Sequence, residues 1–450
     1  MNKATIYILV LFFFIVSCEK SKVLPDPPII IVPDDTTVVL PKYFHENTWI
    51  YEQMRLQYLW ADDMPDEKST DKNLEPVEYF YSLLRKDVDR YSYASSDYQE
   101  ILDYWNGQLE SYGFRYKKVR VDGEFGLAVS LVLKNSPAEL GGLKRGDLIV
   151  AIDGEPLNPE NAERLLERKG ASFLIKNDEE YRLSLAKQKF QVDPLQFAEI
   201  IPWQGKKVGY LVYTQFLFEY EERTRALFQY FKDQQIDEMI IDLRFNPGGV
   251  TPNAEVMASL LGPDLGSSVE LFHGTGNTYS QQQSILRGES PVGRRYFTNE
   301  TSNLSHLSRL FVLTSKSTAS SSELVINCLR PYRAVYTVGG YTYGKNLIST
   351  ILYDETGRYS FGLMPAWATL INAHDQSTYG KDGLIPDFPI LEDEWPYRPL
   401  GDTTETLLRT ALYAISPGES KKEFKKIEVL DGFHHWDTGK GFLGNKRYNP

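Results

Sequence analysis

Apolar residues recur at helical spacing early in the chain, switch to strand-like runs in the middle, and then alternate between the two periods. In "NTWIYEQMRLQYLW", Ile50, Met54 and Tyr58 share one helical face, with Asn47 as the expected cap. "EPVEYFYSLLRK" places Pro76 in a first turn and turns Val77, Phe80, Leu83 and Leu84 inward. Residues 110–190 change period: "FGLAVSLVL" is a strand, and "SPAELGGLKRGDLIVAIDGEPL" a short helix, a glycine turn, a strand over 148–152 and a turn at Asp153-Gly154. From 195 to 415 strands and helices alternate. "KVGYLVYTQF", "EMIIDLRF", "SRLFVLTS" and "RAVYTVGG" read as strands, and "YEERTRALFQYF", "TPNAEVMASLL" and "SSSELVINCL" as helices. That order predicts a layered α/β domain. After Lys345 the pattern becomes β-rich, with a hairpin expected at 354–357. A last helix, "DTTETLLRTALYAI", opens with Asp402 and Glu405 as a capping box, and 416–450 is a polar tail with no element signal.

Composition adds bounds. The chain has 450 residues, 42% of them hydrophobic, enough for sizeable cores, and at about 150 residues each there is room for roughly three domains. A net charge of −12 without any basic block argues against nucleic acid and against an electrostatic grip on anionic lipid. The first residues, "MNKATIYILVLFFFIVSC", carry Lys3 and then an apolar run over 6–16, too short to span a bilayer but right for a signal peptide. Ile15-Val16-Ser17-Cys18 resembles a bacterial lipobox, which implies cleavage before Cys18 and lipidation of its thiol. An ordinary cleaved signal or an uncleaved anchor is the alternative, and either exports the chain. Pro25, Pro27, Pro28, Pro33 and Pro41 make 19–43 an extended tether. Cys328 sits in an apolar helical pattern and reads as a core residue, not as a disulfide partner of Cys18.

The candidate chemistry begins at "VGGYTYGKN". It nearly spells G-x-x-x-x-G-K, but Asn346 stands where magnesium needs a hydroxyl, and the following "NLISTILYDETG" is a strand pattern where a phosphate loop needs a helix. Upstream, "LTSKSTASSSELVINCL" sets a cluster of hydroxyls between a buried strand and a helix. A serine at such a junction is exposed beside helix-terminal N–H groups that can stabilise an oxyanion. It still needs a base. None of the six histidines, His45, His273, His306, His374, His434 and His435, has a recognisable catalytic context. Lys345 follows the next strand, so a βαβ return could bring it alongside the serine. "SLAK" over 184–187 matches S-x-x-K of penicillin-binding enzymes by chance, since neither S-D-N nor K-T-G accompanies it.

"TASSSE" followed by "VGGYTYGKN" resembles the C-terminal processing peptidases, or tail-specific proteases, whose pattern runs S-A-S-A-S-E, helix, strand, T-x-G-K-G. The serine three before Glu323 is Ser320, and the family lysine, 25 positions on, is Lys345. "DLRFNPGG" and "GLIPDFPI" match two further family segments, and "SPAELGGLKRGDLIVAIDG" resembles a bacterial protease PDZ domain. In that domain "SYGF", with Tyr112, Gly113 and Phe114, resembles the loop whose N–H groups receive a peptide C-terminus, and "NAERLLE" the helix flanking the groove.

The resemblance implies an α/β, ClpP/crotonase-like protease core with a PDZ domain and a small N-terminal helical domain. The boundaries are a lipoprotein signal at 1–18, tether 19–43, helical domain 44–108, PDZ domain 109–192, peptidase core 193–415 and tail 416–450. It implies Ser320 as nucleophile and Lys345 as base, with an oxyanion site between the N–H of Ser321 and that of Gly248 or Gly249. Substrates are proteins or peptides; no cofactor, metal or nucleic acid is implied, the membrane is reached through Cys18, and the oligomeric state is open. Where the family has glycine after the lysine and an orienting glutamine four beyond it, this chain has Asn346 and Ser349, so Ser349 becomes the candidate third residue. Arg244 and Asp242 brace the turn or touch substrate; Glu323 reads as an early-helix acid. The alternative is an inactive protein of the same fold that captures peptide tails.

The chemistry makes its own demand. A solvated lysine has a pKa near 10.4, and lowering it to about 7–8 requires roughly 4 kcal/mol of differential destabilisation of the charged form. Burial without a carboxylate partner does that, with Tyr341, Tyr343, Leu347 and Ile348 as the expected walls. Ser320 Oγ and Lys345 Nζ are then expected near hydrogen-bond distance.

Overall fold

The computed structural model describes residues 40–177, 179–377, 379–417 and 425–437. The signal peptide, Cys18 and nearly all of the tether lie outside the described residues.

A six-stranded sheet organises the core, in the order Leu195–Trp203, Lys206–Tyr213, Glu238–Asp242, Arg309–Thr314, Ala334–Gly339 and Phe388–Pro389. The first pair is antiparallel and the rest are parallel. Alternate residues face opposite layers. Leu211, Ile241 and Val312 pack against helices Glu221–Asp233, Thr251–Leu261 and Ser321–Leu329. Tyr210, Ile240, Phe311 and Leu313 pack against Leu407, Leu408, Ala411 and Leu412 of helix Thr406–Ile415. Both faces are covered, which is why these strands read as continuous apolar runs. This is the mixed α/β core expected from the alternating periods.

A second sheet runs through Phe114–Val121, Glu124–Val132, Leu148–Ile152, Gly170–Lys176 and Glu180–Ala186. It encloses its own core, with Phe114, Leu127, Ile149 and Phe173 against Leu165 and Leu166 of helix Ala162–Leu166. "SLAK" lies in its strand Glu180–Ala186. The N-terminal helices Phe44–Gln57 and Pro76–Ser82 bury Ile50, Met54 and Phe80, with Tyr58 at the end of the first, against Leu347, Phe361 and Leu363, from the β-rich stretch after Lys345.

Three expectations are corrected. Asn47 is not a cap: the helix starts at Phe44, and the buried Asn47 amide donates to the carbonyls of Lys72 and Leu74 at 3.2 and 2.8 Å. The last helix is capped by Glu405, whose carboxylate accepts from Leu408 N, and not by Asp402. The tail is not featureless. Residues 425–437 return as short strands, of which Glu428–Val429 and His435–Trp436 pair with Phe114–Val121. Their alternation is too brief to register as strands; the edge they join supplies the order.

Candidate active site

Three chain segments meet at the carboxyl ends of the parallel strands, the usual place for a site in such a sheet. The loop 315–319 leads from strand Arg309–Thr314 into helix Ser321–Leu329 through Ser320. Ser320 has φ 55° and ψ −115°, a conformation that costs a side-chain-bearing residue about 1–3 kcal/mol and persists only where its surroundings impose it. Here the "DLRFNPGG" turn imposes it. Thr318 Oγ1 donates to Leu243 O at 2.8 Å, Ala319 N to Asn246 O at 3.1 Å and Ser322 Oγ to Asn246 O at 3.1 Å.

The same turn brings its glycines against the serine. A Cβ on Gly248 would lie 2.8 Å from Ser320 Cβ, and one on Gly249 would lie 1.9 Å from Phe216 O, so both positions exclude side chains. Gly248 N already donates to Asn246 Oδ1 at 2.8 Å. The N–H groups of Gly249 and Ser321 have no acceptor among the described residues. Ser321 Oγ ties them together by donating to Gly249 O at 2.7 Å.

The third segment carries Lys345, held by Glu323 in a way the sequence did not reveal. Fully buried, Glu323 accepts from Ser320 N at 2.9 Å, Gly344 N at 2.7 Å, Lys345 N at 2.8 Å and the Thr342 hydroxyl. Burial raises its pKa, opposed by those four donors. One carboxylate thus joins the start of the serine's helix to the lysine's backbone. The helical domain adds a second brace: Arg90 Nη2 donates to Tyr343 O at 3.0 Å, and Tyr91 Oη to Gly344 O at 2.7 Å. The sequence pointed to Glu323 only as an early-helix acid favoured by the dipole; nothing local pointed to residues 90 and 91.

Lys345 is only 6% exposed. Among the described residues its Nζ makes no hydrogen bond or ion pair. Burial lowers its pKa from 10.5 to about 8, against the weaker opposing attraction of Asp89 and Glu323. Ser320, Ser321, Gly249, Lys345 and Ser349 line one cavity of about 280 Å³. Its apolar walls include Leu347 and Ile348, as expected, but also Trp105, Leu324 and Met364. Tyr341 is half exposed, and Tyr343 lies under the Arg90 guanidinium instead. The expected Ser320–Lys345 hydrogen bond is not formed, although both residues line the same cavity. Ser349 Oγ is buried with no partner and accepts nothing from Lys345.

Arg244 is fully buried and bridges Asp242, Glu392 and Glu405 at 2.8, 2.7 and 2.6 Å, so it braces the turn and is not open to substrate. Arg145, from the turn before strand Leu148–Ile152, and Lys117, from strand Phe114–Val121, also reach Glu392, at 2.6 and 3.0 Å. In the "SYGF" loop, Gly113 N and Phe114 N both donate to Asp437 Oδ2, the latter at 2.9 Å, while the buried Tyr112 hydroxyl donates to Arg168 O at 2.6 Å.

A strained serine at a strand-to-helix junction, beside open N–H groups, within an α/β core that carries a PDZ domain, defines a serine peptidase class. Comparison with known proteins names the family. Residues 207–390 match peptidase family S41, 45–93 the peptidase S41 N-terminal domain and 129–176 a PDZ domain. A carboxyl-terminal-processing protease of Picosynechococcus sp. is 25% identical over 386 residues, 84% of this chain and 85% of that one. Its counterpart in Synechocystis sp. is 28% identical over 275 residues, 58% of each. A crystal structure from Bacteroides fragilis, assigned to the S41 proteases, superposes with a TM-score of 0.69 at 28% identity, covering 82% of this chain and 97% of that one. The chain belongs to peptidase family S41, the serine proteases that include the C-terminal processing proteases.

Proposed function

We propose that this S41 protease cleaves exported proteins with a Ser320–Lys345 dyad. The observation that carries this reading is the buried, unpaired Lys345 ammonium position sharing one cavity with Ser320. Neutral Lys345 takes the Ser320 proton as Oγ attacks the peptide carbonyl. The oxyanion is received by the N–H groups of Ser321 and Gly249, with Gly248 backing the turn. Lys345 then protonates the leaving amine, and the acyl-enzyme is hydrolysed by a water that Lys345 activates in turn. A rotation of either side chain within the cavity brings Oγ and Nζ into contact once substrate is bound, since apo geometry is often loose. Ser349 lines the same cavity with its hydroxyl unpartnered in the resting form, and it takes the place of the family glutamine by accepting from the lysine once the side chains rotate. The PDZ groove at Gly113 and Phe114 takes the substrate C-terminus.

Ser320→Ala tests the dyad. Cleavage of an unstructured protein substrate falls to background while binding of a peptide with a free carboxylate persists. A wild-type chain that binds peptides yet cleaves none under any condition makes it the inactive binder instead. The N-terminal segment supports an exported lipoprotein anchored through Cys18. Cys18→Ala is expected to lose fatty-acid incorporation and to leave the membrane fraction; labelling that survives the substitution refutes the anchor.

A further inference from the structure

The PDZ peptide groove already holds a ligand, and it belongs to this chain. His435 and Trp436 add as an antiparallel strand to Tyr116 and Arg115, and Glu428 and Val429 extend the pairing to Arg120 and Val119. Leu430 N donates to Lys118 O at 3.0 Å and Asp437 N to Phe114 O at 3.3 Å. At the end of this strand the buried Asp437 carboxylate sits on Gly113 N and Phe114 N, the two donors expected to hold a peptide's terminal carboxylate. Side chains fasten the strand as well: the Trp436 ring lies 3.6 Å from the Arg115 guanidinium, and His435 stacks on Tyr116. An added strand with a carboxylate at its end is the mode by which such domains bind peptide C-termini. Here the carboxylate is a side chain, because the sequence continues to Pro450.

The same segment touches the catalytic loops. His434 N donates to Ser317 Oγ at 2.8 Å, in the loop that leads to Ser320, and the Phe433 ring meets Tyr343, two residues before Lys345. His434 Nε2 lies 3.2 Å from Glu392, which binds Arg244 beneath the oxyanion turn.

We propose that residues 428–437 are a built-in competitor for the PDZ groove, displaced by a peptide ending in a free carboxylate. The inference rests on the peptidase reading above and adds its control: groove occupancy is reported to the catalytic loops by the tail's departure. A site occupied internally binds an outside ligand more weakly by the fraction of time it is vacant.

Two point variants, Asp437→Ala and Trp436→Ala, keep His434 in place; a chain ending at Phe424 removes the segment. The probe is a fluorescent peptide ending in a free leucine carboxylate, with its C-terminal amide as control. Both point variants are expected to bind the acid peptide about tenfold or more tighter than wild type, with no gain for the amide. In the wild-type chain, saturating acid peptide should speed hydrogen exchange across 428–437. Affinities within about twofold of wild type in both variants, equal gains for acid and amide, or no binding by any form would overturn the proposal. Ser320-dependent cleavage of an unstructured protein, run on the same preparations, reports separately on the peptidase reading.

Discussion

Lys345 shows how a single residue's surroundings set its chemistry. It lines a cavity with Leu347, Ile348 and Trp105, and among the described residues only Asp89 and Glu323 attract its ammonium, both weakly beside the cost of burial. The charged form loses water and gains little in return, so the pKa falls to about 8. The sign for activity follows. Below pH 8 the amine carries a proton and no base is available; as pH rises through about 8 the neutral share grows and cleavage rises with it. A pH–rate profile of kcat/KM should therefore show an ascending limb with a midpoint near 8, well above that of a histidine-based peptidase. A flat profile from pH 6 to 9 would remove Lys345 from the base role. Lys345→Met, which keeps much of the apolar stem, is expected to lose activity at every pH.

Among the elements, the helix Ser321–Leu329 and the loop ending at Lys345 are joined by Glu323. Its two oxygens accept from Ser320 N, Gly344 N, Lys345 N and the Thr342 hydroxyl. Ionised, the carboxylate offers only acceptors, which suits four donors. Glu323→Gln replaces one oxygen with a donor that faces donors. The expected result is a roughly tenfold to hundredfold fall in kcat, with KM little changed, because misplacing reacting groups by about 1 Å costs on that order. Unchanged kcat would show that the lysine loop is held without this bridge. The helical domain serves the site through the same loop: Arg90 and Tyr91 fasten it from outside, and Trp105 closes the cavity. The aromatic-rich helices, which the sequence showed only as packing, are therefore part of what keeps Lys345 dry.

Across the whole molecule, a buried charge network ties the parts together. Arg244 from the turn beneath the serine, Lys117 from the second sheet, Arg145 from the PDZ domain and His434 from the tail surround Glu392, while Asp242 and Glu405 pair with Arg244 in turn. Burial by itself would raise the Glu392 carboxyl, but Lys117, Arg244 and Arg145 hold it well below the usual carboxylate range. Removing one member leaves partners uncompensated in a dry interior. Arg244→Met is expected to cost about 3–5 kcal/mol, read as a lower midpoint in urea unfolding followed by tryptophan fluorescence. A variant as stable as wild type would show that the network's charges are dispensable.

Much of this was legible in the chain alone, and for a physical reason. Periodicity of apolar residues reports which face is buried, so it located the sheet strands, their helices and the strand after Lys345 that excludes a phosphate loop. The spacing of Ser320, Glu323 and Lys345 carried the family resemblance, because a strand–helix–strand return has a nearly fixed length. What no local pattern holds is long-range pairing. Arg90 and Tyr91 reach the Gly344 carbonyl, next to Lys345, across about 250 residues of sequence, and Asp437 reaches Gly113 across 324. Caps failed for the same reason, since tertiary partners claimed the Asn47 amide. The sequence by itself determined the elements and the spacing from which the Ser320–Lys345 pair is proposed; only the tertiary structure decided that the lysine is buried, which N–H groups stand open, and that a polar tail pairs with the edge of the second sheet. Those depend on which distant surfaces exclude water together, a property no single segment possesses.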